Sequence, residues 1–152
     1  KIDQKKFNNI YKKYNYYSLK KINLVKIKKN DLKILENLKN EGYILALFTS
    51  KNMKRSYKIL GKNKTLFKYK VFPSKILRGK PHPDGLNKII KKSKCKKNET
   101  LYLGDTIFDN MSANSAKIKY LHANWGYQKI SKKSVHKINR LLEIKNFLKD
   151  EN

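Results

Sequence analysis

The chain has 152 residues, 38 of them basic and 11 acidic, a formal net charge of +27 and one cysteine, Cys95. That length holds one hydrophobic core, and a lone cysteine excludes an internal disulfide framework or a zinc cluster and fits a reducing, cytoplasmic setting. No apolar run approaches a bilayer-spanning length, so no membrane partner is expected; only Arg55, Arg78 and Arg140 are arginine, so the lysines read as a solvated surface with non-specific polyanion affinity at low salt.

In chain order, Lys1 to Lys21 has a helical spacing of Phe7, Ile10, Tyr11, Tyr14 and Tyr17, an apolar stripe that calls for a packing partner. Ile22 to Ile27 reads equally as a short strand or an extended linker. Asn30 or Asp31 is placed to cap a helix with Leu32, Leu35 and Leu38 on one face, ended by Gly42. Tyr43 to Phe48 is a nearly continuous apolar run, as in a buried parallel strand. It stops at Thr49-Ser50-Lys51, before a helix expected over Asn52 to Leu60. A hydroxyl pair between a strand and a helix N-terminus can bind phosphate with the free backbone N–H groups, or can serve as an ordinary helix cap.

Val71 and Phe72 form a brief strand, and Pro73 to Gly79 a loop. Pro81 and Pro83 stiffen the backbone around Lys80, whereas most other lysines are free to move. His82 reads as a loop residue, and a helix follows from Asp84 to Lys91. Lys91 to Asn98 reads as a solvated loop. Thr100 to Leu103 is a strand, apolar on both faces, that ends on Gly104 and delivers Asp105 and, in or near the first turn of the next helix, Asp109. Two hard oxygen ligands in one crevice suit Mg²⁺; equally, Asp105 can cap a helix and Asp109 can be a solvated acid. Met111, Ala113, Ala116 and Ile118 give that next helix a small apolar face. Lys119 to Trp125 is a strand ended by Gly126. Ser131 to Lys149 reads as a last amphipathic helix, with Val135, Ile138, Leu141, Leu142 and Leu148 on its core face. His122 and His136 are assigned to packing and surface. Strand alternating with helix from Asn30 onward marks an α/β fold with a parallel sheet.

Three elements thus fall at the carboxyl ends of three strands in a fixed order, and together they resemble the haloacid dehalogenase superfamily, in particular its phosphoglycolate-phosphatase-like branch. Leu47-Phe48-Thr49-Ser50-Lys51 resembles the family's second motif, Gly79-Lys80-Pro81-His82-Pro83 its third, and Gly104-Asp105 with Asp109 its fourth; Trp125-Gly126-Tyr127 is also similar to that branch. The resemblance implies a Rossmann-like parallel sheet flanked by helices over residues 29–152, with residues 1–28 the end of a helical cap or a linker. It implies a Mg²⁺-dependent phosphatase acting on a small phosphorylated metabolite. Thr49, with the 50–51 backbone, would bind a phosphoryl oxygen, and Lys80 would pair with the phosphate and the nucleophile's carboxylate. Asp105 would ligate Mg²⁺, and Asp109 would support the metal or its water shell.

One departure is large. The family's first motif, an apolar strand leading into Asp-x-Asp-Gly-Thr, supplies the nucleophile, and it is absent: the aspartates stand at 3, 31, 84, 105, 109 and 150, no two of them separated by a single residue. The expectation is therefore an N-terminally truncated phosphatase that lacks its nucleophile and its central strand, unless Ile22 to Ile27 fills that gap. The alternatives are a degenerate, non-catalytic module that binds an anionic partner, and a polynucleotide-end phosphatase, which the scarcity of arginine and the lack of an aromatic stacking motif disfavour. On the first reading Thr49, Asp105 and Asp109 converge on one crevice, with Asp105 the deepest.

Overall fold

The computed structural model describes residues 3–131 and 134–149. The expected helical positions Lys1, Ile2, Lys132 and Lys133, and Asp150, lie outside the described residues.

Helix α1 (Gln4–Lys20) starts on Asp3, whose carboxylate accepts the Lys6 N–H at 2.9 Å. It buries none of its residues, and Phe7, Ile10, Tyr11, Tyr14 and Tyr17 are all exposed. The expected packing stripe exists, but nothing among the described residues covers it. Two polar contacts tie this helix to the rest: the Arg55 guanidinium donates to the Tyr14 hydroxyl at 2.7 Å, and the Asn52 amide to Asn15 at 3.4 Å. Ile22–Leu24 is a 3₁₀ turn with Ile22 buried, and Val25 to Lys28 runs on without regular structure. The strand reading of 22–27 does not survive, and no strand of this segment fills the gap in the sheet; the linker reading holds beyond the turn.

Helix α2 (Lys29–Asn40) begins one residue before the expected cap: Lys28 is the N-cap and offers no side-chain bond. Asp31 instead sits in the first turn, where a negative charge meets the positive end of the helix dipole. Gly42 follows at φ +93°, a conformation that favours glycine and lets the chain turn into β1 (Ala46–Phe48). Helix α3 (Met53–Leu60) is capped by Asn52, whose side chain accepts the Arg55 N–H at 2.9 Å. A 3₁₀ segment, Gly61–Leu66, leads to β2 (Tyr69–Val71), and after the proline loop α4 (Asp84–Ser93) runs two residues further than expected. Strand β3 (Leu101–Gly104), α5 (Ile107–Ala116) and β4 (Lys119–Ala123) follow.

The last segment departs most from expectation. In place of one helix over 131–149 there are β5 (Lys137–Ile138), a 3₁₀ turn (Leu141–Glu143) and the short α6 (Ile144–Lys149). The free edge of β4 accounts for this: His122 N–H donates to His136 O at 2.8 Å and Asn124 N–H to Ile138 O at 2.9 Å. Ile138, nearly inaccessible, enters the core from a strand. Tertiary pairing along a sheet edge here outweighs a helical pattern of apolar residues.

All the strand pairings are parallel, but they form two sheets, β1-β2 and β3-β4-β5. Helices α4 and α5 touch each other, α4 lying on β1 and β2 and α5 on β3 and β4. Between them sits a cluster of Leu86, Ala113, Ala116 and Ile118, with Phe48, Ile90, Tyr102 and Tyr120 packed against it. Met111, expected on that face, is exposed.

Strands β1 and β3 were expected to be buried and are only half-buried, whereas Leu121, His122 and Ala123 of β4 are buried. The reason is topological. Lys68 N–H donates to Leu45 O, and Thr49 N–H to Val71 O. Parallel geometry therefore turns the backbone groups of Ala46 and Phe48 away from β2. Among the described residues no strand joins the two sheets, so β1 and β3 each keep one unpaired edge.

Candidate active site

The site gathers where β1 and β3 end. Asp109 is its deepest group, 2% exposed, which corrects the expectation that Asp105 lies deepest. Thr106 and Asp109 form a reciprocal capping box at the start of α5, which brings the Asp109 side chain back under the strand end. One carboxylate oxygen, Oδ2, accepts the Asp105 N–H at 3.2 Å, the Thr106 N–H at 3.0 Å and the Thr106 hydroxyl at 2.7 Å. The other, Oδ1, accepts the Tyr102 hydroxyl at 2.7 Å and the Lys80 ammonium at 2.5 Å. Burial pushes the Asp109 carboxyl up, but the Lys80 charge and the hydrogen bonds from Lys80, Thr106 and Tyr102 outweigh it and hold the group below its ordinary value.

Lys80 arrives from the loop between β2 and α4, with its side chain 14% exposed. Its ammonium stands 4.9 Å from the centre of the Phe48 ring and 5.4 Å from that of Tyr102. The loop that carries it is tied at its far end, where Arg78 forms a two-pronged ion pair with Asp84 and also donates its backbone N–H. Pro81 and Pro83 thus hold a lysine whose head group is already engaged, while Lys91 and Lys92 are exposed on α4.

Asp105 lies directly at the end of β3 and is half-buried. Its Oδ2 accepts the Tyr127 N–H at 2.9 Å and its backbone carbonyl the Gln128 N–H at 3.2 Å, while the Gln128 side chain accepts from Ile107 N–H at 2.6 Å. The 125–128 turn therefore clamps the aspartate from β4's side. A Cβ at Gly126 would fall inside the Asp105 side chain, and one at Gly104 inside that of Asp109. Gly104 is required for space and not for a left-handed backbone, since Gly42 and Gly61 are the glycines at positive φ.

Thr49 directly follows β1, half-buried, and its hydroxyl oxygen accepts the Lys51 N–H at 3.1 Å, which leaves its proton free to be donated. Ser50 is exposed in the same turn and Lys51 half-buried. The structure joins Lys80 to Asp109 directly, and to Phe48, the residue before Thr49. His122 is buried between the Tyr120 hydroxyl (2.9 Å) and Gln128 O (2.8 Å), a packing role as expected, and His82 and His136 are exposed.

Sequence reasoning missed Tyr102, Phe48 and the close approach of Gly126. The signal for Tyr102 is its place on the same strand face as Gly104, two residues on, which points it where the site forms.

For a divalent cation, Asp105 can offer a hard oxygen, while both oxygens of Asp109 accept hydrogen bonds in this structure. No group of three or more His, Cys, Asp or Glu side chains that could hold a metal exists among the described residues. Nor is any described helix long and apolar enough to cross a membrane.

The chain is similar to several known proteins. The haloacid dehalogenase-like hydrolase family matches residues 1–123. The PpaX protein of Caldanaerobacter subterraneus subsp. tengcongensis, whose name assigns it to the pyrophosphatases, is 32% identical over 103 residues, covering 66% of this chain and 46% of that protein. The chain thus spans about half the length of that relative. A predicted phosphoglycolate phosphatase of Haemophilus somnus superposes with a TM-score of 0.85 at 22% identity, over 97% of this chain and 69% of the other. A hydrolase of Pseudomonas syringae does so with 0.83 at 19%, over 99% and 72%. At those identities the two structures speak for the fold. With the family matched over most of its length, this chain belongs to the haloacid dehalogenase-like hydrolases.

Proposed function

We propose that the chain forms the phosphoryl-binding part of a Mg²⁺-dependent phosphatase acting on a small phosphorylated metabolite, with residues 1–28 the end of a helical cap over a core of residues 29–152. The observation that carries the reading is the Lys80 ammonium, pinned to a buried carboxylate at the carboxyl ends of β1 and β3. Phosphoryl transfer needs the charge on the phosphoryl oxygens neutralised and the group held in line with its nucleophile. An ammonium has three donors, and Asp109 takes one, leaving two for a phosphoryl oxygen and an attacking carboxylate. The Thr49 hydroxyl, whose oxygen is already turned toward the Lys51 N–H, can give its proton to a second phosphoryl oxygen. Bound Mg²⁺ would neutralise phosphoryl charge, and Asp105 is the residue offered to hold it. The cap assignment is supported by the exposed aromatic face of α1 and its tether to α3.

Neither carboxylate at the site is suited to attack phosphorus, because Asp109 is fully hydrogen-bonded and Asp105 is clamped by the 125–128 turn. The 152-residue chain is therefore expected to give no turnover of an aryl phosphate with Mg²⁺. It is expected to bind inorganic phosphate weakly, with amide shifts at residues 49–51. Lys80→Ala and Thr49→Ala should each abolish those shifts, and Lys91→Ala should leave them. Phosphate binding indifferent to Lys80 and Thr49 would sink the assignment, and turnover by the purified chain would mean that the nucleophile has been misplaced.

A further inference from the structure

Lys80 has a long, flexible stem, and a lysine ammonium is a point charge that salt-bridges in many directions. Something must fix its direction if its free donors are to face a phosphoryl group. Pro81 and Pro83 set only the start of the stem. At the other end, the Tyr102 hydroxyl and the Lys80 ammonium share a single acceptor, Asp109 Oδ1. With the hydroxyl bound to that oxygen, fewer directions of approach are left to the ammonium. The Tyr102 and Phe48 rings, with centroids 6.2 Å apart and planes tilted by 39°, offer their faces to the same ammonium. A cation over an aromatic face is held by the ring quadrupole without using up a donor. Ring faces and a shared acceptor together orient the head group and leave its remaining N–H bonds free.

We propose that Tyr102 is a positioning residue that, with the Phe48 ring, aims the Lys80 ammonium at the phosphoryl site; the proposal rests on the phosphatase reading of Lys80. The neighbouring strand supplies a control. Tyr120 stands in register with Tyr102 and packs against the same apolar cluster, but its hydroxyl bonds to Thr106 O at 3.3 Å and to His122 at 2.9 Å, away from the pair. Removing either hydroxyl deletes half-buried hydrogen bonding, yet only the Tyr102 hydroxyl touches Asp109.

The test uses the whole chain as Tyr102→Phe and Tyr120→Phe, with Lys80→Met to assign the Lys80 side-chain NMR signals. In the wild type and in Tyr120→Phe, the Lys80 ε-methylene protons should lie upfield of the other lysines because of the two rings. In Tyr102→Phe they should move toward the common lysine position as the head group loses its fixed direction. Affinity for inorganic phosphate should fall about tenfold in Tyr102→Phe, the scale of a hydrogen bond to a charged group, and stay at the wild-type value in Tyr120→Phe. A structural role alone would lower the thermal midpoints of both variants and leave phosphate affinity alike in the two. Unchanged Lys80 signals and unchanged affinity in Tyr102→Phe would overturn the proposal. Should the Lys80 signals respond while wild-type chain binds no phosphate, the contact stands and the phosphatase reading fails.

Discussion

At the scale of single residues, Asp109 carries more of the site than its position in a helix would indicate. It is a buried carboxylate whose charge is balanced by one ammonium and by four further donors. Deleting one partner of such a pair strands the other. Asp109→Ala should therefore cost about 3–5 kcal/mol in urea unfolding, while Lys91→Ala on the exposed face of α4 should stay within about 0.5 kcal/mol. The same group sets an acid limit. Its carboxyl is held below the ordinary value in the folded chain, so the stability it contributes is present above the unfolded value of about 3.9 and is lost as pH falls through the lower folded value. Asp109→Asn should flatten the fall in stability below about pH 4. A wild-type slope retained in that variant would place the acid-sensitive group elsewhere.

At the scale of elements, close approach and open edges make the strongest demands. A Cβ at Gly85 would enter the Phe48 ring, just as one at Gly104 would enter the Asp109 side chain. Gly104→Ala should cost about 1–3 kcal/mol through overpacking and shift the amide signals of residues 105–109. Two helices, by contrast, end on lysines in the left-handed region, α4 at Lys94 with φ 59° and α5 at Lys117 with φ 58°. Glycine adopts that conformation without the steric cost, so Lys94→Gly should stabilise the chain by about 1 kcal/mol, read from the urea midpoint. The edge of β1 offers a kinetic measurement. Amides of Ala46 and Phe48, turned away from β2, should exchange with deuterium faster than those of His122 and Asn124, which donate to His136 O and Ile138 O. Equal protection would mean that the two sheets close on each other in solution.

At the scale of the whole molecule, charge and topology act separately. The net charge of +27 predicts binding to heparin that weakens steeply as salt rises. The site pair should be insensitive to that change, because the Lys80–Asp109 contact is buried and poorly screened. Heparin binding by Lys80→Ala should therefore match that of the wild type, whereas phosphate binding should not. An affinity for heparin that survives high salt would point to a specific polyanion site and favour the polynucleotide reading.

The alternation of strands and helices, the stop at Gly42, and the ordered Thr49, Lys80 and Asp105 with Asp109 were all readable from local pattern, because spacing and turn chemistry are local properties; the cap at Asn52 came only from the structure. The family likeness followed from the order of those motifs. Other features depended on contacts distant in sequence. Residues 131–149 satisfy a helical period, yet Lys137 and Ile138 form a strand because β4 presents a free edge. Strands β1 and β3 are apolar enough for a closed sheet, yet they stay half-buried because no described strand stands between them. Asp109 looked like a possible solvated acid or metal support, and it became an anchor because Lys80, 29 positions earlier, and Tyr102 both converge on one of its oxygens. The sequence by itself determined which groups stand at the strand ends. Only the tertiary structure decided which of them meet, because hydrogen bonding in a buried site is settled by whatever donors packing brings within reach.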